Sequence, residues 1–484
     1  MANTLAEYAD AVIMEALLTK STSAINYEYI DDVLTSIRPY AFAGFTDLET
    51  LSLPNITVIP EGAFFDTTIS VDLDLSWEHI DSIGRMAFYD SDCITDSTVT
   101  LTACTAVGAC AFNGAKLANI VFPAWTGTIA NGTFNTAQGE YDEIASSRRG
   151  IFVDSTVQSI SAPLLTSLPA YFCRGCTSLA SVNLPLVTTA TMQSFYGCTS
   201  LTEVSLPAAT RIAGEAFSGC TSLVTIVLAS VTSMAGYAFS GCSALENFTA
   251  PSLTEISSSY TFQNCVSLVS IDLHTVTSMV GDYTFRSCTS LTTVNLANAN
   301  KLPGSTFYGC SSLTTLAATL AASVGTYCFW NCSALESISL PVATSVLSHA
   351  FQGCINLKTV SLPLAETLAD NVFLTCTSLV SISLPSVTGI GDYCFSGDTA
   401  LEKVSFGGAT VQLGTYAFRN CTALTKVAFP NITALPAVAA ALNDVFANVP
   451  FAQVTIYVPT AMLTTFRGDP DWGNFTIDDV ANYS

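Results

Sequence analysis

Phenylalanine returns along this chain at a nearly fixed interval. Phe172, Phe195, Phe217, Phe239, Phe262, Phe285, Phe307, Phe329, Phe351, Phe373, Phe395 and Phe418 follow one another at steps of 22 or 23 residues. The same phase runs upstream, less cleanly, through Phe42, Phe64, Phe88, Phe112 and Phe134, giving 17 marked repeats. A strict period over most of a chain is the signature of a solenoid: one repeat cannot bury its apolar side alone, but stacked repeats can.

One repeat reads in three parts. Leu201, Val204 and Leu206 alternate with polar residues, as a short strand does. Pro207 ends that strand, because proline cannot donate to a ladder. Residues 210–214 then place Ile212 inward, and residues 215–220 read as one turn of α or 3₁₀ helix closed by Gly219. At about 4.8 Å per coil, 17 coils predict a rod roughly 80 Å long. The expected fold class is an α/β repeat solenoid, with a parallel β-sheet on one face and short helical or 3₁₀ turns on the other.

The pattern Phe-x-x-Cys-x-x-Leu-x-x-Val-x-Leu-Pro, with Ser-Val-Thr-x-Ile-Gly between repeats, resembles the BspA-like leucine-rich repeat family. Residues 384–395, from Leu384-Pro385 through Ile390-Gly391 to Phe395, are a close match. The resemblance covers about residues 36 to 459 and implies a leucine-rich-repeat solenoid with a binding or adhesion role. It implies no catalytic residue. Members of the family are often surface proteins with a signal peptide. Here Glu7, Asp10 and Glu15 precede the first basic residue, Lys20, unlike the basic start of a secretory leader.

The breaks in the period suggest five segments. Residues 1–35 lack the repeat, and Leu5, Tyr8, Val12, Ile13, Leu17 and Leu18 lie near helical spacing, as in a terminal cap or a docking segment. Irregular repeats occupy 36–134. The step from Phe134 to Phe172 is 38 residues, which places an insertion or junction at 135–157. Regular repeats fill 158–450. The segment 451–484 reads as a carboxy-terminal cap, with Val454–Pro459 as the last strand, then a helix carrying Met462, Leu463 and Phe466, then Trp472.

Eleven of the 17 cysteines fall at one repeat position, from Cys176 through Cys376 to Cys421; Asp398 and Phe45 take the equivalent place in two other repeats. Identical side chains one coil apart would hold their Cβ atoms about 4.8 Å apart, beyond the usual reach of a disulfide. Cys173-Arg174-Gly175-Cys176 is an isolated Cys-x-x-Cys with no second half, so no metal site is expected. The cysteines read as buried thiols acting as small apolar residues.

Composition narrows the function classes. Half the chain is hydrophobic and 11% is charged, with 38 acidic against 15 basic residues and a net charge of -23. A nucleic-acid partner needs a basic face, so none is expected. Residues 216–245 and 302–335 carry no charge, but Gly, Ser and Thr interrupt them and they follow the repeat, so membrane insertion is not expected either. His79, His274 and His349 form no cluster, and no nucleophile, phosphate-loop or zinc motif occurs. The expectation is therefore no enzyme, no cofactor and no metal.

Two surfaces could bind a partner. Tyrosine recurs two residues before the core phenylalanine, as Tyr237, Tyr260, Tyr283, Tyr327, Tyr393 and Tyr416. Two steps along a helical turn is about 200°, which turns these rings away from the core and predicts an exposed aromatic stripe suited to sugar faces or protein partners, or else a structural ladder. The strands offer Ser181, Asn183, Glu203, Ser205, Thr225, Asn247, Asp272, Asn295, Ser337, Ser339, Ser381 and Ser383 outward, a hydroxyl-rich face. The reading is a binding protein of the surface of a bacteriophage virion, a tail or receptor-binding component that meets other virion proteins through residues 1–35 and a bacterial surface through the solenoid. The alternative is a cell-surface adhesin for a glycan or protein, and a second is a polysaccharide-degrading solenoid. A homo-oligomer is compatible with each.

Overall fold

The computed structural model describes residues 28–30, 35–45, 48–130, 150–439 and 441–483. Most of the amino-terminal segment 1–35 and the residues around Phe134 lie outside them. The chain forms two compact units, Met1–Ala229 and Ser230–Ser484.

Each unit is a stack of parallel coils. In the first, strands Thr98–Thr100, Asn119–Val121, Ser159–Ser161 and Ser181–Asn183 pair in one parallel sheet. A second line runs through Val58–Ile59, Ser82–Ile83, Ala106–Gly108 and Thr128–Ala130. In the second unit, Ser381–Leu384, Lys403–Phe406, Lys426–Ala428, Thr455–Val458 and Thr476–Asp479 form one sheet. Six two-residue strands from Ser323–Val324 to Ala437–Val438 form the other line. In many of the three-residue strands the middle side chain faces the core: Val294 and Ile338 are buried between exposed or half-buried neighbours.

The core of each coil is its phenylalanine. In the second unit the rings stack from Phe239 on Phe262 at 5.5 Å to Phe395 on Phe418 at 5.5 Å, with Phe329 on Phe351 closest at 5.0 Å. Burying one such ring contributes about 1.5–3 kcal/mol, and each offset stack adds roughly 0.5–1.5. The backbone at these rings is paired between coils as in a sheet: Phe285 N–H donates to Thr306 O at 2.8 Å, and Phe307 N–H to Cys328 O at 2.8 Å.

The corner carrying the phenylalanine is not a helical turn. The residue two before it and the residue two after it both have a left-handed backbone, as with Tyr237 (φ 56°) and Gly241 (φ 74°) around Phe239. Two left-handed residues interrupt a right-handed helix, so the corner is a pair of tight turns closed by bonds such as Ser240 N–H to Tyr237 O at 3.1 Å.

Three rungs depart from the sequence spacing. Cys173 N–H donates to Ser194 O, the bond that Phe195 makes to Ala216 O one coil later, so Cys173 and not Phe172 occupies the core position. Phe172 is one place early and meets Phe152 and Phe195 edge to face, at interplanar angles of 86° and 81°. Phe112 stacks directly on Phe152 at 5.3 Å, so the next ring of the ladder is Phe152 and not Phe134. Ile151, Phe152, Val153 and Val157, assigned by spacing to the insertion, are buried in a coil. At the far end Phe446 stacks on Phe418 at 5.2 Å and adds a rung that the spacing did not show.

The carboxy-terminal segment packs on the last coils of the second unit. Strand Thr455–Val458 leads into helix Leu463–Gly468, with Phe466 buried, and Trp472 packs edge to face on Phe429 and Phe446. The final strand is Thr476–Asp479, paired parallel with Thr455–Val458, one strand beyond the last that the sequence suggested. No helix among the described residues is long and apolar enough to cross a membrane.

Candidate binding surface

The 17 cysteines are buried thiols. Those of the main column act as donors: Cys310 Sγ donates to Phe285 O at 3.0 Å, and Cys332 Sγ to Phe307 O at 3.2 Å, each reaching the core residue of the preceding coil. In the irregular coils hydroxyls take the same place: Thr67 Oγ1 donates to Phe42 O at 2.6 Å, the core residue of the preceding coil, while Ser155 Oγ reaches Ala115 O at 2.9 Å, three residues beyond the core Phe112. Burial pushes the Cys220 and Cys288 thiols up to about 12, so nucleophilic thiolate is suppressed. Among the described residues no three metal-ligating side chains converge.

The six tyrosines form a ridge at the corner. Each sits at the left-handed position, with φ between 55° and 64°. Their backbone is pinned between coils: Tyr260 N–H donates to Asp282 O at 3.0 Å and Tyr283 N–H to Gly304 O at 2.9 Å. Tyr237 is 41% exposed and the other five are half-buried. The structure gathers them in short stacks. Tyr260 lies between Tyr237 at 4.6 Å and Tyr283 at 4.7 Å, with the last pair only 1° from parallel. Tyr393 packs on Tyr416 at 5.1 Å, tilted by 36°. Tyr327 packs on His349 at 4.5 Å, so His349 shares the tyrosine position. Its Nδ1 is 2.6 Å from Gln352 Oε1.

Stacking changes what the ridge can offer. The faces of Tyr260 are covered by its neighbours, so a sugar cannot lie flat on that ring. What remains open is the ring rim with its hydroxyl, a hydrogen-bonding edge. Burial and the adjacent phenols of Tyr237 and Tyr283 raise the Tyr260 phenol above its ordinary value, so it stays a neutral donor.

A second column runs beside the first, one residue after the core phenylalanine. Arg286 joins the two: its guanidinium lies 5.5 Å from the Tyr283 ring centre and 5.2 Å from that of Tyr308. Tyr308 in turn stacks on Trp330 at 4.3 Å. Arg419 lies over Tyr416 at 5.4 Å. The first unit repeats the device with Arg174 over Tyr196 at 5.2 Å. Little in the residue pattern points to this column, because residue type varies along it and only the coil register brings Arg286, Tyr308 and Trp330 together.

The strand face also presents its polar residues outward. Ser181, Asn183, Glu203, Ser205, Asn247, Asp272, Ser337, Ser339, Ser381 and Ser383 are exposed, and Thr225 and Asn295 are half-buried. Asp272 Oδ1 lies 3.0 Å from His274 Nδ1, an exposed pair.

Parallel coils, inward Val and Ile on the strands with buried leucines flanking them, and a paired corner define a leucine-rich-repeat solenoid. The chain belongs to the BspA type leucine rich repeat region family, whose model matches residues 19–139, 146–257, 210–336 and 322–441. Among solved structures it is similar to a leucine-rich repeat protein from Bacteroides ovatus, at 22% identity and TM-score 0.44 over 84% of this chain and 85% of that one. A leucine rich cell surface protein from Faecalibacterium prausnitzii gives 21% identity and TM-score 0.38, over 74% and 91%. The pneumococcal vaccine antigen PcpA gives 18% and 0.39, over 69% and 81%. No curated protein matched the chain.

Proposed function

We propose that this chain is a non-enzymatic binding protein of a cell or virion surface, and that the tyrosine ridge of its second unit is a recognition surface for a glycan or protein. The observation that carries this is the accessible aromatic stacking at the ridge. The left-handed turn itself recurs from coil to coil and is also adopted by Gln193, Glu215 and the fully buried Met86 and Cys110. At the ridge that turn carries tyrosines that stack at an accessible surface, with Tyr260 between Tyr237 and Tyr283. Rings with a hydroxyl edge open to solvent support a recognition role.

The phage-tail reading and the cell-surface reading share this ridge and differ in what residues 1–35 would hold. Immunogold labelling of the source particles and of the source cell envelope separates them.

The test of the ridge replaces Tyr237, Tyr260 and Tyr283 together by Phe. Ring stacking and backbone are kept, and the hydroxyls are removed. Binding of the labelled protein to arrays of cell-envelope glycans and proteins should fall at least tenfold with Tm unchanged. Undiminished binding by the triple variant would reject the ridge.

A further inference from the structure

Arg286 lies over two rings of the second unit, 5.5 Å from the centre of Tyr283 and 5.2 Å from that of Tyr308. Arg174 of the first unit has the same place in its coil, one residue after the core position, and lies 5.2 Å from the ring centre of Tyr196. The two guanidinium groups differ in what else they meet. Arg174 Nε donates to Gln193 Oε1 at 2.9 Å, and Gln193 Nε2 in turn donates to Glu215 Oε2 at 2.9 Å. Gln193 is the left-handed corner residue of the next coil. For Arg286 the equivalent corner residue is Ser305, which is buried at φ 52° and carries no amide oxygen to accept from a guanidinium.

The Arg286 guanidinium is therefore held in place with its N–H groups unanswered. Ring contacts take up its faces and leave the edge, which can only donate. Among the described residues no carboxylate lies within ion-pair distance of it, and no oxygen accepts from it. Asp282, the acid nearest to it in sequence, is engaged with the backbone of the next coil: its Oδ1 accepts the Gly304 N–H at 2.8 Å. Tyr308 stacks on Trp330 at 4.3 Å, so the column runs on from the guanidinium to a phenol and then to an indole N–H, a second group that only donates. Arg286, Tyr308 and Trp330 are all half-buried.

We propose that Arg286 anchors a site for a uronic acid residue of a glycan, its guanidinium taking the sugar carboxylate through paired hydrogen bonds while Tyr308 and Trp330 donate to the sugar's ring and hydroxyl oxygens. The carboxylate stands to Arg286 as Gln193 Oε1 stands to Arg174. Groups that donate and cannot accept call for a ligand with acceptors beyond its charge. A sugar acid carries them around its ring. An aspartate or glutamate side chain has only methylenes behind its carboxylate and would leave the phenol and the indole unpaired. The proposal rests on the reading of this corner as a recognition surface and names the ligand class.

Isothermal titration of the full chain with trigalacturonate tests it, with maltotriose as the neutral sugar and triglutamate as the peptide control. Wild type should bind trigalacturonate, more weakly at about 0.5 M than at about 0.15 M salt, and should bind neither control. Ser305→Gln places the first unit's internal acceptor beside Arg286, on a backbone that Gln193 already adopts at φ 50°, and should weaken binding at least tenfold with the circular dichroism unchanged. Arg286→Gln should weaken it equally, and decides the matter if Ser305→Gln does not fold. Arg286→Lys keeps the charge without the fork and should recover only part of the affinity. No binding by wild type, undiminished binding by Arg286→Gln, full binding by Arg286→Lys, or either control bound as tightly as trigalacturonate would each overturn the proposal. Loss of binding in the triple tyrosine variant with Arg286→Gln unaffected would remove this site and leave the ridge standing. The reverse pattern would keep the site and reject the ridge hydroxyls.

Discussion

The backbone N–H of Cys376 donates to Oδ1 of Asp398 at 2.7 Å. Asp398 stands where other coils place the donor thiol, is fully buried, and its Oδ2 has no partner among the described residues. Burial pushes its carboxyl well above the ordinary carboxylate range, so the folded protein holds it as the neutral acid. The unfolded chain releases that proton above about pH 4. The stability that Asp398 permits is therefore complete below that pH and declines as pH rises towards the folded value. Asp398→Cys should raise stability at pH 7 by about 1–3 kcal/mol and at pH 4 by less. Thermal melts of both proteins from pH 4 to 8 measure this, and parallel curves would count against it.

At Tyr260 the usual order of substitutions should reverse. Tyr260→Ala loses both ring stacks and keeps a side chain at φ 64°. Tyr260→Gly loses the same stacks and removes the strain. The glycine variant should be the more stable by about 1 kcal/mol, against the ordinary preference for alanine. Denaturant midpoints decide it, and a less stable glycine variant would mean that the corner is not strained.

The thiol column makes a chemical distinction. Cys310→Ser keeps a donor for Phe285 O and should stay within about 1 kcal/mol of wild type, as the Thr67 hydroxyl already does this work at Phe42 O. Cys310→Val adds bulk at a fully buried site and removes the donor, and should cost about 1–3 kcal/mol. If valine proves neutral and serine unfolds the protein, the column serves packing alone.

Thiol reactivity should follow folding. The cysteines are buried, and burial holds Cys93 and Cys354 at about 12. An aromatic disulfide reagent at pH 8 should label almost none of the 17 thiols in the native protein and all of them in denaturant. Rapid native labelling would show that the coils open locally.

The architecture was legible because the period is strict and each coil repeats one hydrophobic pattern. What escaped the sequence is register. Phe172 outweighs Cys173 as an apolar signal, yet the backbone pairing selects Cys173. Phe134 keeps the interval from Phe112, yet Phe152 fills the rung. Phe446 breaks the interval and still stacks. The tyrosine stripe was visible as a spacing, but its cause was not: a tyrosine gives no sign of a left-handed backbone, and a helical turn was the natural expectation. Arg286 and His349 joined the ridge only once the coils were in place.

Phe112 packs on Phe88 at 5.4 Å and on Phe152 at 5.3 Å, although the second partner lies much farther along the chain. The ladder thus measures distance along its own axis and not along the polypeptide. Coils can therefore differ in length between Phe112 and Phe152 while the ring spacing stays that of an ordinary rung.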